Sequence, residues 1–179
     1  MLIRQKGETK MRQIDFSELS NYTVPARGLI DTIYLHWTAG RYNQPFGAYH
    51  INIDGDGNLW TDMDSFTDYK QHTWRRNSRA IGISLDCALG SYITAEGQVI
   101  HQGFPPTPAQ LDTMAKVVAK ICIEIGLPIE YWYVMTHAEI ANVDGYGLGD
   151  GDPDMRWDLY GLGDSIRQRA QEYAYEWGY

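Results

Sequence analysis

Histidine and aspartate side chains stand at positions in this sequence where they could hold a metal ion. His36 and His137 each end a predicted strand, and Asp152 lies in an irregular loop shortly after His137. Zinc sites that catalyse hydrolysis use three protein ligands and leave the fourth position for water, which zinc acidifies towards neutrality. For any one of the five histidines, a hydrogen-bonded structural role is the more common one. Spacing alone therefore leaves the convergence of these three residues a hypothesis.

A short segment, residues 72–79, concentrates basic charge in an otherwise acidic chain. The sequence has 15 basic and 23 acidic residues and a formal net charge of −8, which argues against a protein that binds nucleic acid by neutralising phosphates. The local reversal of sign indicates a ligand-binding surface, and we expect this segment to be exposed. Its candidate ligand-binding residues are His72, Trp74, Arg75, Asn77 and Arg79.

The elements that must position these residues are predicted from runs of β-branched and aromatic residues and from helix caps. A helix is predicted from Thr107 as N-cap, with Gln110 completing a capping box and Gly126 ending it. A second helix is predicted from about Asp164. Strands that alternate with hairpins and with a long helix predict an α/β fold, a single domain with a central mixed β-sheet flanked by helices. The candidate zinc site would lie at the strand ends. The predicted strands span 31–37, 48–53, 58–60, 80–86 and 131–136.

Domain organisation and location are predicted from length and from the distribution of apolar residues. We expect residues 1–27 to form an N-terminal extension and residues 28–179 to form the domain that carries the candidate site. Residues 1–12 lack the apolar run of a secretory signal, and no stretch is long and apolar enough to span a bilayer. The expectation is a monomer that is made in the cytoplasm without a signal peptide and without membrane insertion.

Several segments, taken in order, resemble the amidase type 2 and peptidoglycan recognition protein superfamily. The resemblance extends from about Asp31 to Trp157 and implies an N-acetylmuramoyl-L-alanine amidase. In such an enzyme, zinc-activated water attacks the amide that joins N-acetylmuramic acid to L-alanine in bacterial peptidoglycan. The segments that carry the resemblance are 34–39, 49–53, Asn77 with 81–85, 107–111 and 136–137.

The resemblance also implies a set of zinc ligands. Hydrolysing members hold zinc with the His after the first strand, the His after a late strand, and an Asp or Cys in the loop beyond. His36, His137 and Asp152 match these positions, and the Asp-Pro pair at 152–153 before an aromatic residue resembles the family pattern. Asp150 and Asp154 are alternative third ligands. Because the stem peptide of the substrate carries several carboxylates, its groove is expected along the basic segment 72–79.

Three residues are candidates for catalysis besides the metal ligands. Tyr49 matches the Tyr that lies beside the metal in phage-type members, where its phenol could hydrogen-bond the oxyanion; core packing is the alternative. Bacterial cytosolic members carry a catalytic Glu where this chain has Ser84, and phage-type members carry a Lys two residues before the third ligand, where this chain has Asp150. Asp86, on the same strand face as Ser84, and Glu139 are candidate proton-transfer groups. Their alternatives are an exposed strand-end carboxylate and a partner that orients a metal ligand.

Other functions stay open at the level of sequence. The preferred hypothesis is a phage or prophage endolysin that acts on the cell wall after release, and a bacterial recycling amidase is the second choice. Some members of the superfamily lose a zinc ligand and only bind peptidoglycan, so a non-catalytic recognition module is the alternative outside catalysis. A structural protein that uses its aromatic residues to bind a partner would need no metal, and zinc chelation would leave its activity and stability unchanged.

Overall fold

The computed structural model describes residues 10–179 and has a mixed β-sheet at its centre. In that part of the chain the sheet has six strands in the order β1-β4-β3-β5-β2-β8, and β6 and β7 pair separately. Strands β3, β5, β2 and β8 run parallel, while β4 pairs antiparallel with β1 and β3. The predicted α/β fold is confirmed. The elements are β1 (Arg12–Ile14), α1 (Leu19–Thr23), β2 (Thr32–Trp37), β3 (Ile51–Ile53), β4 (Leu59–Thr61), β5 (Ala80–Leu85), β6 (Tyr92–Ile93), β7 (Val99–Ile100), α2 (Pro108–Ile125), β8 (Val134–Thr136), α3 (His137–Asp144) and α4 (Gly163–Glu176).

Alternation along β2 divides its side chains between the two faces of the sheet. Ile33, Leu35 and Trp37 belong to the main core, against which α2 and α4 pack. Tyr34 lies one residue out of phase and joins a smaller cluster with a residue of α3 on the other face. Because side chains two residues apart share a face, His36 also projects there. A buried strand thus delivers a polar side chain to the face that carries the candidate site.

The long helix α2 begins and ends where its caps predict. The Thr107 hydroxyl accepts a hydrogen bond from the Gln110 backbone, and the Gln110 side chain accepts one from the Thr107 backbone. Gly126 adopts the left-handed conformation at the C-cap. The Gln110 amide is fully buried and also donates to the backbone oxygens of Ile53 and Asp86. The capping residue therefore fixes α2 to the ends of β3 and β5.

The second half of the predicted N-terminal extension is joined to the domain. Strand β1 pairs with β4 along the edge of the sheet. Leu19 is fully buried in the main core, and the Ser20 hydroxyl donates to Glu124 of α2. The core therefore continues across the predicted boundary at residue 28. Residues 1–9 of the predicted extension lie outside the described residues.

The helices of the domain do not meet the requirements of a membrane span. Within residues 10–179, no helix combines the length and the apolar character needed to cross a bilayer.

Candidate metal centre

A histidine pair and a carboxylate form a cluster that could hold a metal ion. The Nδ1 atoms of His36 and His137 lie 3.1 Å apart, and Oδ2 of Asp158 is 3.5 Å from each of them. His36 is fully buried, and His137 is nearly so. Two imidazole nitrogens and one carboxylate oxygen are a donor set of catalytic zinc sites.

Neighbouring parallel strands bring the two histidines together. Leu35 of β2 pairs with Thr136 of β8, so His36 and His137 are the next residues along the two strands. Thr136 also serves as the N-cap of α3, which makes His137 the first residue of that helix. Asp158 arrives from the loop before α4, where its backbone oxygen accepts a hydrogen bond from the first turn of α3. The three side chains are thus fixed by a strand, a helix start and a tethered loop.

The spacing of the three donor atoms fits a zinc ion. Tetrahedral zinc with ligands at about 2.0–2.1 Å places neighbouring ligand atoms about 3.3–3.4 Å apart. The observed separations of 3.1, 3.5 and 3.5 Å bracket that value. Calcium and magnesium prefer oxygen ligands, so the paired imidazoles favour zinc or another transition metal. The cluster also borders a cavity of about 410 Å³, which leaves room for an open coordination position.

The protonation states of His36 and Asp158 are those that metal ligands require. Burial lowers the pKa of His36 to about 4, although the nearby Asp158 carboxylate opposes this shift. Burial by itself would raise the pKa of Asp158, but the neighbouring imidazoles of His137 and His36 outweigh it and hold that pKa well below its usual range. Near neutral pH, His36 is therefore a neutral imidazole and Asp158 is an ionised carboxylate.

The structure places Asp158, and not Asp152, beside the two histidines. Asp152 accepts a hydrogen bond from the backbone of Asp154 at 2.8 Å, and Asp150 accepts one from the backbone of Gly147 at 2.8 Å. Among the described residues, none of these three aspartates joins the His36 and His137 cluster. The carboxylates of Asp150 and Asp152 close local turns in the Gly-rich loop, and the chain reaches the cluster only after that loop has ended. The expectation that Asp152 converges with the histidines is therefore corrected.

Two cavities meet at the cluster, and together we call them the groove. The larger arm has a volume of about 610 Å³, and the smaller arm is the cavity of about 410 Å³ that borders the cluster. Both arms are lined by Gln71, His72, His137 and Arg156, so they meet beside His137. The larger arm carries charged walls, with Arg75 among its cations and Asp152 and Asp154 among its anions. The smaller arm is lined in part by the aromatic residues Trp37, Tyr49 and Trp157.

The basic segment contributes to the larger arm, but its first residues are buried. Trp74 and Arg75 are exposed there, with the Arg75 guanidinium 4.4 Å from the Trp74 ring centre. His72 and Thr73 are buried, which corrects the expectation of a fully exposed segment. The Asn77 side-chain oxygen accepts hydrogen bonds from the backbones of His72 and Thr73 at 3.0 and 2.8 Å. Asn77 therefore holds this loop in shape while it lines the groove.

Arg79 lies apart from the groove. Its guanidinium forms a bidentate ion pair with Asp31, with distances of 2.5 and 2.9 Å. It borders a separate cavity of about 260 Å³ whose lining contains none of the candidate metal ligands. Arg79 precedes β5, at the end of the sheet opposite to the cluster. Its predicted role in substrate binding is therefore not supported by its position.

Tyr49 lies next to the cluster and lines the smaller arm of the groove. The centre of its ring is 5.0 Å from that of His36. Burial raises the pKa of the Tyr49 phenol, so the hydroxyl keeps its proton at neutral pH. A protonated phenol at this place is able to donate a hydrogen bond to an oxygen that gains negative charge.

Asp86 is fully buried, which corrects the view of an exposed residue at a strand end. Neither carboxylate oxygen has a hydrogen-bond partner within the part of the chain that the structure describes. Burial raises the pKa of Asp86 to about 8, and the charge of Asp54 adds to that effect. The carboxyl group therefore holds a proton at neutral pH. Its predicted role in proton transfer stays a prediction.

Replacing Asp86 with Asn is expected to change how stability depends on pH. A carboxyl group with a raised pKa in the folded state binds its proton more tightly than the unfolded chain does, so wild-type stability falls as pH rises from about 4 to about 8. The Asp86→Asn variant would lack this loss, and its stability relative to wild type should increase by up to about 3 kcal/mol between about pH 5 and about pH 7.5. Urea denaturation of both proteins at the two pH values measures the difference. A difference that does not vary with pH would show that Asp86 is ionised in the folded protein.

Glu139 has both carboxylate oxygens engaged by structural partners. Oε2 accepts hydrogen bonds from the backbone of Thr136 and from Arg167, and Oε1 accepts a second one from Arg167, each at 2.8 Å. The same residue completes the capping box that begins α3. Glu139 thus fixes the start of the helix whose first residue is His137. The contacts favour a positioning role over the predicted role in proton transfer.

Arg156 is a cation that lines both arms of the groove. One guanidinium nitrogen donates to the backbone oxygen of Asp154 at 2.7 Å, and the Arg156 backbone donates to the oxygen of Tyr146. Within residues 10–179, no carboxylate forms an ion pair with this guanidinium. Arg156 precedes Asp158 by two residues and was not among the residues predicted from the sequence.

Comparison with known proteins gives a family and a fold. A family model described as N-acetylmuramoyl-L-alanine amidase matches residues 10–153. The structure is similar to that of the N-acetylmuramyl-L-alanine amidase AmiD from E. coli, solved with the substrate anhydro-N-acetylmuramic acid-L-Ala-D-gamma-Glu-L-Lys, at 18% identity and a TM-score of 0.53. That alignment covers 80% of this chain and 58% of the AmiD chain.

A second similar structure is the N-acetylmuramoyl-L-alanine amidase LysC from Clostridium intestinale URNW. It has 15% identity and a TM-score of 0.45, and the alignment covers 75% of this chain and 79% of that chain. No curated protein sequence matches the chain significantly.

Proposed function

Since the chain belongs to the N-acetylmuramoyl-L-alanine amidase family, we propose that it hydrolyses, with zinc, the amide between N-acetylmuramic acid and L-alanine in bacterial peptidoglycan. The observation that carries this proposal is the cluster of His36, His137 and Asp158 at the junction of a two-armed groove. A recognition module that only binds peptidoglycan would not need three converging metal donors beside that groove. The cluster therefore favours catalysis over binding alone.

His36, His137 and Asp158 are the residues that would hold the zinc ion. When bound, zinc supplies Lewis acidity towards a carbonyl oxygen and acidifies water. The buried, neutral His36 and the ionised Asp158 would offer this ion their donor atoms without first losing protons. Because the three residues sit on a strand, a helix start and a tethered loop, they would bind with little rearrangement.

Tyr49 and Arg156 are proposed to act on charge that develops during the reaction. The protonated phenol of Tyr49 lines the smaller arm, where it would donate a hydrogen bond to the oxyanion of the amide. Arg156 lines both arms and has donors left over after its bond to the Asp154 backbone. Its fixed charge would stabilise negative charge on the same oxygen. Hydrogen-bond donors and cations of this kind stabilise developing charge most strongly where water is excluded.

The larger arm is proposed to bind the stem peptide. Trp74 offers an exposed aromatic face, and Arg75 offers a guanidinium that can pair with a peptide carboxylate. AmiD was solved in complex with a muramyl peptide that is its substrate. A charged arm beside the metal donors suits a ligand of the same kind here.

The proposal is tested by measuring the amino groups released from purified peptidoglycan. We expect release that a chelator stops and that added zinc restores. Binding of the protein to peptidoglycan, measured by co-sedimentation, should persist in the chelator. If binding occurs without any amine release in the presence of zinc, the protein is a recognition module and the catalytic proposal is wrong.

We further propose that the activity serves lysis, as in phage endolysins that act on the cell wall. Phage-type members carry a Lys two residues before the third ligand, and with Asp158 as that ligand the corresponding residue is the cation Arg156. The catalytic Glu of bacterial cytosolic members is replaced here by Ser84, which is buried. The protein should therefore clear a suspension of intact sacculi. A recycling amidase would instead release amines from small muropeptides and leave sacculi intact.

A further inference from the structure

Each histidine of the cluster has a second ring nitrogen that faces a hydroxyl group. Nε2 of His36 is 3.3 Å from the Thr73 hydroxyl, and Nε2 of His137 is 3.3 Å from the Tyr146 hydroxyl. Both hydroxyl-bearing residues are buried. The arrangement is the same for the two histidines, although Thr73 and Tyr146 come from different segments of the chain.

The tautomer of a histidine decides which of its nitrogens can bind a metal. A neutral imidazole carries one N–H, so Nδ1 is a free donor only when the proton is on Nε2. His36 is fully buried, and an Nε2–H without an acceptor would be costly there. The Thr73 oxygen is placed to accept this hydrogen bond, and the Tyr146 oxygen is placed to accept that of His137.

We propose that Thr73 and Tyr146 are positioning residues that hold His36 and His137 with Nδ1 free to bind zinc. This inference rests on the proposed zinc site and adds the groups that fix the tautomer of each ligating histidine. Partners of this type, which bind the second nitrogen of a ligating histidine, fix both the tautomer and the orientation of the ring.

The Thr73 hydroxyl has a second contact, which is able to accept its proton. Nδ1 of His72 is 2.9 Å from the Thr73 oxygen. If the oxygen accepts from His36, its proton is donated to His72. The imidazole of His72 lies directly over Gly82, where an added Cβ would be 2.6 Å from the ring. The absence of a side chain at Gly82 therefore makes room for the ring that supports Thr73.

The loop that carries Thr73 is fixed on both sides. On one side, the Asn77 side-chain oxygen accepts hydrogen bonds from two backbone N–H groups of the loop. Arg76 forms a bidentate ion pair with Asp144 at the end of α3, with distances of 2.9 and 2.7 Å. Trp74 packs edge-on against Tyr146, with 5.5 Å between ring centres. One wall of the groove thus supports both positioning hydroxyls.

The test is zinc affinity, measured by competition with a chromophoric chelator for the wild-type chain and three variants. Thr73→Val keeps the size of the side chain and removes the hydroxyl, and we expect zinc affinity to fall by about 10- to 100-fold. Thr73→Ser retains a hydroxyl and should bind like wild type. Tyr146→Phe should weaken binding over the same range as Thr73→Val. A second measurement uses the same proteins with cobalt bound in place of zinc. Relative to wild type, the visible absorption bands should shift for Thr73→Val and Tyr146→Phe and not for Thr73→Ser.

A matched control separates the loss of the histidine contact from the general effect of removing a threonine hydroxyl. Thr94→Val removes a hydroxyl whose contact is in the separate β6–β7 hairpin, and it should leave zinc affinity unchanged. Equal affinities for wild type, Thr73→Val and Tyr146→Phe would overturn the positioning role and leave the zinc site standing. Failure of the wild-type protein to bind zinc would overturn both. If the Thr73→Val variant does not fold, Tyr146→Phe still decides the outcome by the same measurement.

Discussion

Replacing Asp158 with Asn is expected to abolish zinc binding at micromolar zinc and to lower kcat/KM for amine release at least about a thousandfold, or roughly 4 kcal/mol of transition-state stabilisation. Asn has the size of Asp but lacks the negative charge that lies 3.5 Å from both imidazoles. Two neutral imidazoles alone make a weak site for zinc. Equilibrium dialysis followed by zinc analysis measures the binding, and amine release measures the activity.

Asp152→Asn is the matched control for this change. Asp152 lines the larger arm of the groove and closes a local turn, so its loss should leave zinc binding intact and affect at most KM. The family match ends at residue 153, before Asp158 is reached. If the Asp152→Asn variant loses zinc and the Asp158→Asn variant keeps it, the third ligand is the residue that the Asp-Pro pattern indicates and the cluster with Asp158 is wrong.

Much of the fold could be predicted because its signals are local. The Thr107 capping box and Gly126 mark the ends of α2 through the hydrogen-bonding needs of a helix, which do not depend on the rest of the chain. The apolar run before His36 likewise marks β2. Local signals do not report pairing between distant segments. The N-terminal strand β1 was therefore missed, since its place at the sheet edge depends on β4.

The candidate site likewise has ligands that local signals predict and one ligand that depends on tertiary packing. His36 and His137 were predicted because each ends a strand, and parallel pairing of β2 with β8 aligns those ends. Asp158 follows a loop whose path is set by tertiary packing. Trp157 packs edge-on against Trp37 with ring centres 5.1 Å apart, so the neighbours of the two Trp residues, Asp158 and His36, are brought together. That contact joins segments far apart in the chain and leaves no periodic signal in the sequence.

The roles of two candidate carboxylates could not be decided from the sequence for a related reason. Asp86 and Glu139 have the same ionisable group, and both were candidates for proton transfer. Their surroundings separate them: Glu139 is held by Arg167 and the start of α3, while Asp86 is buried without a partner among residues 10–179. Residue type gives the chemistry that is available, but burial and contacts decide how it is used.

Arg156→Ala is expected to lower kcat for amine release by about 100-fold, or about 2.7 kcal/mol, with zinc affinity unchanged. The guanidinium lines both arms of the groove beside His137, and Asp158 lies two residues further along the chain. Removing it would remove stabilisation of charge that develops only during the reaction. Arg156→Lys keeps the charge and should retain most of the activity, in keeping with the Lys of phage-type members.

The division of the effect between kcat and KM identifies what Arg156 contacts. A group that binds a carboxylate of the stem peptide stabilises bound substrate and transition state equally, so its loss would raise KM and leave kcat unchanged. A group that meets the oxyanion acts in the transition state, so its loss would lower kcat. A change in KM alone for Arg156→Ala would therefore assign Arg156 to peptide binding and contradict its catalytic role. Because Arg75 also lines the larger arm, Arg75→Ala supplies the reference for an effect on peptide binding, and we expect it to change KM alone.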